Sequence, residues 1–429
     1  MCFSFFKLKS NNTKAQRSHE PPTRYPTSPS NDQSMEFHSS HHDTTSSSYN
    51  KPSAKFSISS RDSLSSLKHS LAENPLIYDS SQIRSATNNF RVKPFHSSSS
   101  STSWRCVINR KEVAVTQRKL RRPIDAAKLR RMLTLICKSH HLSLVKLYGA
   151  SISENHISLV YEYVHGASLS ECLNNPRNPS YTILPDWLSR VQIAADIAHG
   201  IDYVHNSSGA KYGFVHNHIK SSSIIVTEPA SNAKLCHFGT AQLCGEVDEA
   251  VDNETEIEDI SVIKKIESGK MKFEGTRGYM SPEFQSTGIP TLKSDVFAFG
   301  VVILELLSGA EPVKMRMDND VGVITKVSLI ETAREAIGDG GDSSSTASGG
   351  GDVFGRLRRW VDWRLKDSYP VEVVERMVRV ALACVQEDPD RRPDMNRVAG
   401  QISKMYLDSK TWAEHYCFPT EISISLAPR

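Results

Sequence analysis

Apolar and polar positions divide the chain into segments of different texture. Up to about Ala72 the residues are mainly Ser, Thr, Asn, His and Pro, with too few large apolar side chains to offset the entropy of ordering them. Residues 1–73 therefore read as a disordered arm. Order is expected near Tyr78, where SSQIRSATNNF places apolar residues at helical spacing, and Lys111–Val115 reads as a short strand with Val113 and Val115 on one face. The run IDAAKLRRMLTLICK repeats apolar residues at intervals of three and four without glycine or proline, which predicts a helix over 124–138. Two strand-like runs follow, SLVKLYGA and HISLVYEYV. Past Asp186 the pattern changes to long helices, WLSRVQIAADIAHGIDYVH, SDVFAFGVVILELLSG and VVERMVRVALACVQEDP. Strands first and helices later predict two lobes with a cleft between them: one domain over 74–409, its small lobe about 79–161 and its larger lobe about 165–409, then a tail over 410–429.

Two interruptions break this pattern. Glu246 to Asp259 is crowded with acids, and Gly338 to Gly351 is almost pure linker composition. Both read as flexible, solvent-exposed insertions, over 246–270 and 338–352, that carry no chemistry. The long segment around the first, with its acidic insert and Thr255, Ser261, Ser268 and Thr276, reads as a candidate docking or phosphorylation surface, the insert equally as an unconstrained surface loop. TSPS around Ser28 and RDSLSS around Ser63 offer weaker phosphate-acceptor matches in the arm.

Composition narrows the function classes. A net charge of +4 over 429 residues, with no basic run interleaved with aromatics, gives no sign of nucleic acid. The eight cysteines contain no Cys-x-x-Cys pair, which argues against a disulfide framework or a cysteine-rich zinc site and for a reducing compartment. No apolar run approaches the roughly 20 residues of a bilayer span. The start, MCFSFFKLKS, places Cys2 among three phenylalanines and two lysines. That arrangement fits peripheral membrane association through one acyl chain on Cys2, equally an unmodified arm, and the absence of glycine after Met1 excludes myristoylation.

The segments LVYEYVHGASL, WLSRVQIAADIAHGIDYVH, GTRGYMSPEF, SDVFAFGVVILELLSG and DPDRRPDM stand in the order and spacing of the eukaryotic protein kinase fold. The chain resembles the Ser/Thr kinases of the plant receptor-like, Pelle-type family, and within it a receptor-like cytoplasmic kinase. The resemblance covers roughly Asp79 to Leu407 and implies an α+β, bilobal fold with a β-rich small lobe and a helical large lobe. It also implies a place at the inner face of the plasma membrane beside a membrane receptor kinase or another active protein kinase.

By the same resemblance FVHNHIKSSSIIV occupies the place of the catalytic loop H-R-D-L/I-K-x-x-N. Aligned on His216, Ile219 and Lys220, Asn217 takes the arginine position, His218 that of the catalytic aspartate and Ser223 that of the metal-binding asparagine. His237 precedes Phe238 and Gly239 where the family carries D-F-G, and a neutral imidazole is a poor ligand for magnesium. Thr116 stands at the strand lysine of V-A-I-K and Met132 at its glutamate partner. His96, Ser98 and Ser101 occupy the glycine positions of G-x-G-x-x-G, where each β-carbon obstructs a close approach to phosphate. Lys220 alone is retained at a phosphate-facing position, and losing the general base typically forfeits ~10²–10⁴ in rate.

The architectural residues of the family are present. His216, Phe238, Ile136 and Leu147 match one hydrophobic spine, and Ala114 with Ile225 belongs to the other. Glu283 and Arg392 match the pair that ties the activation segment to the C-terminal helices, and Asp295 the residue that braces the catalytic loop. Glu162, Tyr163 and Val164 form a hinge. With Ala114 and Ile225 they offer adenine contacts, although Ser103 replaces the second-strand valine.

The resulting expectation is a pseudokinase that acts as scaffold or allosteric partner, with no catalytic residues and no cofactor. ATP held without metal is the alternative for the cleft. A divergent active kinase using Lys119 for phosphate and His218 as base is the alternative function. A metal site of His216, His218 and His237 is weighed and set aside, because His216 is accounted for by the spine and nothing orients the ligands. The remaining histidines, His199 and His205 among them, read as ordinary helix-face residues.

Overall fold

The computed structural model describes residues 75–416 except 99, 122, 123, 125, 154, 175–183, 185, 207–212, 228–230, 248–274, 318–323 and 339–352. The N-terminal arm with Cys2, most of both insertions and the end of the C-terminal tail lie outside the described residues.

The small lobe runs β1 (Leu76–Ile77), α1 (Ser80–Ala86), β2 (His96–Ser97), β3 (Ser101–Ile108), β4 (Lys111–Lys119), α2 (Ala126–Lys138), β5 (Leu147–Ser153) and β6 (His156–Glu162). Its six-stranded sheet has the order β1-β5-β6-β4-β3-β2. Side chains alternate across a strand, and β4 uses that parity to divide its work. Val113 and Val115 face the apolar cluster around Tyr78, Ile83 and Val160 beneath α1, while Ala114, Thr116 and Arg118 face the cleft. The strand read over 111–115 extends to Lys119, because its far end pairs with β6 as far as His156. The amphipathic α2 buries Leu129, Met132, Leu133 and Ile136.

The large lobe continues with β7 (Ala167–Ser168), α3 (Leu169–Leu173), α4 (Trp187–Asn206), β8 (Ile224–Val226), β9 (Ala233–Leu235), α5 (Thr240–Leu243), α6 (Pro282–Thr287) and α7 (Leu292–Ser308). A hairpin of β10 (Val313–Met317) and β11 (Ile324–Ser328) follows, then α8 (Leu329–Ile337), α9 (Val353–Trp360), α10 (Val371–Cys384) and α11 (Met395–Tyr416). Thus α11 carries seven residues of the stretch read as tail. Every residue of α7 from Ser294 to Leu307 is buried, as expected of a helix that is apolar on all sides. Thr291 and Ser294 close a capping box at its start, and Gly309 at φ 63° ends it.

Helix α7 supports the cleft from below. The Asp295 carboxylate accepts the backbone N–H groups of His216 at 2.6 Å and Asn217 at 2.8 Å. His205 Nε2 lies 3.1 Å from the same carboxylate, so His205 is not the ordinary helix-face residue read from its spacing. His216 is fully buried, as are Ile136, Leu147 and Phe238 of the core. A second tie fastens the activation segment, where Arg392 donates to both Glu283 oxygens at 2.6 and 2.7 Å. Among the described residues the deepest ion pair joins Arg190 to Asp362 at 2.7 Å, with side chains 1% and 2% exposed.

Two predictions follow from this packing. Removing one partner of a buried pair leaves the other charge uncompensated, so Asp362→Ala is expected to cost about 3–5 kcal/mol in urea unfolding. Burial pushes the His216 ring down from 6.5 to about 4. The folded state therefore holds it neutral while the unfolded chain protonates it. Its stabilising contribution is complete above pH 6.5 and is lost as pH falls towards 4, at up to about 1.4 kcal/mol per pH unit. His216→Leu is expected to flatten the dependence of the urea midpoint on pH across that window; an unchanged slope would refute the assignment.

Candidate functional site

The cleft between the lobes encloses about 420 Å³. Its inner half is walled by Ala114, Val145, Tyr161, Val164, Ile225 and Cys236, with Glu162 and Tyr163 along the edge. The Glu162 carboxylate is occupied, accepting from Lys234 Nζ at 2.8 Å and the Lys146 amide at 3.1 Å. Ser103 and Thr116 face each other across β3 and β4, and their buried hydroxyls bond at 2.9 Å. Two departures from the kinase pattern thus satisfy one another, a coupling that separate readings of the positions do not reveal.

The loop in the glycine-rich position closes on itself. Ser98 N donates to Ser101 O at 2.8 Å, and Ser98 Oγ accepts from Ser101 N at 3.2 Å. The connection from β2 to β3 is therefore a turn held by serine hydroxyls, which tie up polar groups that would otherwise face a ligand.

Beyond it lies a charge cluster that the sequence reading missed. Arg118 points into the cleft with a side chain only 7% exposed, and its guanidinium lies 3.2 Å from Glu246 Oε1. Glu246 is 4% exposed; its Oε2 lies 2.9 Å from His218 Nε2 and accepts from Asn217 Nδ2 at 2.9 Å. Arg118 Nη1 also lies 3.1 Å from His218 Nε2, and its Nη2 donates to Ser100 Oγ at 3.3 Å. Burial alone would raise the Glu246 carboxyl, yet His218, Arg118 and Asn217 together hold it well below the usual carboxylate range. Burial likewise lowers His218, against the opposing pull of Glu246.

This cluster corrects two expectations. The sequence places Glu246 in an exposed insertion without chemistry, but its side chain is buried against Arg118 and His218. The turn through α5 brings it there: Glu246 N donates to Ala241 O at 2.8 Å, and Gln242 Nε2 to Val215 O at 2.7 Å. Lys119, the candidate phosphate ligand, is exposed and one residue out of phase with Thr116 and Arg118, so strand parity directs it to the other face. The same parity pointed to Arg118, two residues after Thr116. Nothing in an acid-rich run singles out Glu246.

Each serine of the SSS run has its own environment. Ser221 Oγ donates to Glu305 Oε1 at 2.9 Å, and Tyr279 OH donates to Glu305 Oε2 at 2.7 Å, while burial pushes the Glu305 carboxyl up to about 8. Ser222 is exposed. Ser223 is buried, and its hydroxyl has no hydrogen-bond partner among the described residues. Lys220 lines the cleft and donates to Thr276 Oγ1 at 3.3 Å; burial, then Arg118, lowers its pKa.

His237 follows β9 with φ 70°, and its buried Nδ1 also has no partner among the described residues. Burial, reinforced by neighbouring His218 and Arg118, holds it well below 6.5. Tyr161 anchors the adjoining turn, donating to Phe238 O at 3.0 Å and contacting Thr240 Oγ1 at 2.9 Å. At the remaining family position, Met132 is buried in apolar surroundings. These residues do not fit magnesium: its two family positions offer a hydroxyl and an imidazole, and the buried Glu246 carboxylate is engaged by a guanidinium and an imidazole. A metal held by the three histidines fits no better, because His216 Nδ1 faces the His218 amide at 3.3 Å and His218 Nε2 faces Arg118 and Glu246. Among the described residues no group of three or more His, Cys, Asp or Glu is placed to hold a metal ion, and no helix is long and apolar enough to cross a membrane.

Residues 99–401 match the model of the protein kinase domain. The chain is 32% identical over 343 residues to LysM domain receptor-like kinase 3 of Arabidopsis thaliana, covering 79% of this chain and 48% of that protein. It is 33% identical over 281 residues to chitin elicitor receptor kinase 1 of the same plant, covering 65% of this chain and 39% of that protein. It therefore spans about half the length, or less, of these curated relatives. Among solved structures, the pseudokinase domain of BIR2, described as an immune regulator of the RLK/Pelle family, superposes with a TM-score of 0.55 at 22% identity, covering 78% of this chain and 88% of that one. That likeness concerns the fold, a β-sheet small lobe on a helical large lobe. The chain belongs to the protein kinase family and is related to the plant receptor-like kinases.

Proposed function

We propose that this protein is a pseudokinase, which acts by binding a partner and not by transferring phosphate. One observation carries the reading: where the family places its two magnesium ligands, this chain has the Ser223 hydroxyl and the His237 imidazole, both with buried polar atoms unpartnered among the described residues. Phosphoryl transfer depends on metal and positioned charge, and here Glu246 takes up Arg118 and His218. The rival reading, a divergent kinase using Lys119 and His218, is weakened by the outward placement of Lys119 and the engagement of His218 with Glu246.

The bound partner in this proposal is the intracellular domain of a receptor kinase or another active protein kinase, for which the chain serves as scaffold or allosteric regulator. The relationship to receptor-like kinases supports that partner class. The inner face of the plasma membrane is the proposed site of action, with acylation of Cys2 as the proposed anchor. A second reading, nucleotide held without metal, is favoured by the cavity against Ala114, Ile225 and the Glu162–Val164 edge.

The test incubates the full chain with radiolabelled ATP and magnesium, alone and with a panel of plant receptor kinase intracellular domains, and measures binding to each domain in parallel. The expected result is saturable binding to at least one active domain, with no phosphate transferred by this chain to itself or to catalytically dead forms of those domains. Transfer above background that Lys220→Ala abolishes would contradict the proposal.

A further inference from the structure

One exposed face of the large lobe plays no part in the cleft. Helix α9 and the 3₁₀ turn Trp363–Leu365 after it carry the sequence VFGRLRRWVDWRLK, from Val353 to Lys366. Leu357, Val361 and Leu365 are buried. Asp362 is held inward by Arg190 at 2.7 Å and Arg364 at 2.8 Å. With those positions turned to the core, Phe354, Arg358, Arg359, Trp363 and Lys366 are left outside.

The exposed aromatics and cations of this run have little to do within the fold. Trp104, Trp187 and Trp360 each spend the indole N–H on it, donating to Val92 O at 3.1 Å, Ser409 Oγ at 2.8 Å and Thr332 Oγ1 at 3.1 Å. Trp363, 72% exposed, has no such bond among the described residues. Phe354 is 41% exposed. Arg358 reaches Asp367 only at 4.0 Å, with both side chains exposed, and a surface pair of that kind contributes little.

We propose that this face rests on an anionic lipid bilayer, with Phe354 and Trp363 entering the headgroup region and Arg358, Arg359 and Lys366 meeting the lipids' negative charge. Exposed aromatics beside exposed cations are the composition that binds such an interface. An acidic protein would also match the cations, but it would need a shaped pocket for the indole. A bilayer interface takes indole rings without one. The inference deepens the proposed placement at the inner face of the plasma membrane and rests on it. A single acyl chain at Cys2 anchors only marginally, and stable attachment takes a second signal such as a basic patch. This face supplies one. Because it belongs to the folded domain, it also fixes how that domain meets the bilayer.

The experiment is cosedimentation of the full chain, produced without acylation, with vesicles of phosphatidylcholine alone or with about 30% phosphatidylserine. It compares the native chain with Trp363→Ala and with Arg358→Gln/Arg359→Gln/Lys366→Gln. A control, Lys119→Gln/Arg130→Gln/Lys138→Gln, removes the same charge from exposed positions of the small lobe. The native chain and the control are expected to bind the phosphatidylserine vesicles and not those of phosphatidylcholine alone. Each large-lobe variant is expected to bind them about tenfold more weakly, with an unchanged unfolding midpoint. Equal binding by all four proteins places the lipid contact elsewhere and overturns the inference, as does an equal loss in the control, which marks bulk charge. Absence of vesicle binding also overturns it; poly-glutamate bound by the native chain and not by the large-lobe variants then makes an acidic protein the occupant. Failure of the membrane placement itself reads differently: the chain is missing from plasma-membrane fractions of plant cells while its vesicle binding still depends on Trp363.

Discussion

The floor of the cleft depends on one buried carboxylate. Asp295 takes the amides of His216 and Asn217, and without those bonds two buried donors would be unpaired in a loop that has little regular structure to hold it. Because Asp295 sits near the start of α7, a helix enclosed on all sides by the large-lobe core, the loop inherits the rigidity of that core. His216 is then buried in the core, and His218 and Lys220 line the cavity. The backbone of a catalytic loop persists, and what varies is the set of side chains it presents.

That variation follows a single rule of buried electrostatics: a cation inside a protein needs an anion. In an active kinase the cleft receives a polyphosphate together with metal ions. Here the chain meets the requirement internally. Arg118 is matched by Glu246 from the turn after α5, His218 and Asn217 complete the carboxylate's bonds, and Ser103 with Thr116 pair where a roof valine and a lysine would stand. These substitutions are mutually compensating. Restoring a lysine at Thr116 or a valine at Ser103 alone would leave the other hydroxyl without its partner.

The fold was legible because its signals are periodic. Strand alternation, the three-and-four spacing of α2 and the uniformly apolar α7 each state their environment directly, as do the motifs around Glu283 and Arg392. The positions in the cleft departing from the kinase pattern were legible through spacing to those motifs. The partners of the departures were not. Arg118 could have been found from parity with Thr116, whereas Lys119 drew attention by lying close in sequence. Glu246 opens an acidic run whose composition signals solvent, and only the turn after α5, a tertiary feature, buries it. Tyr161 reads as one more apolar strand residue until its hydroxyl is seen to hold Phe238 and Thr240.

Manganese provides the most direct test of the central claim, that the cleft has exchanged metal and phosphate for an internal charge pair. Manganese substitutes for magnesium in phosphoryl-transfer sites, and its electron paramagnetic resonance spectrum reports protein ligation. Titrating the full chain into manganese–ATP is predicted to leave the spectrum that of the free complex. A protein-dependent spectral change, abolished by His237→Ala, would place a working metal site in the cleft and contradict the account.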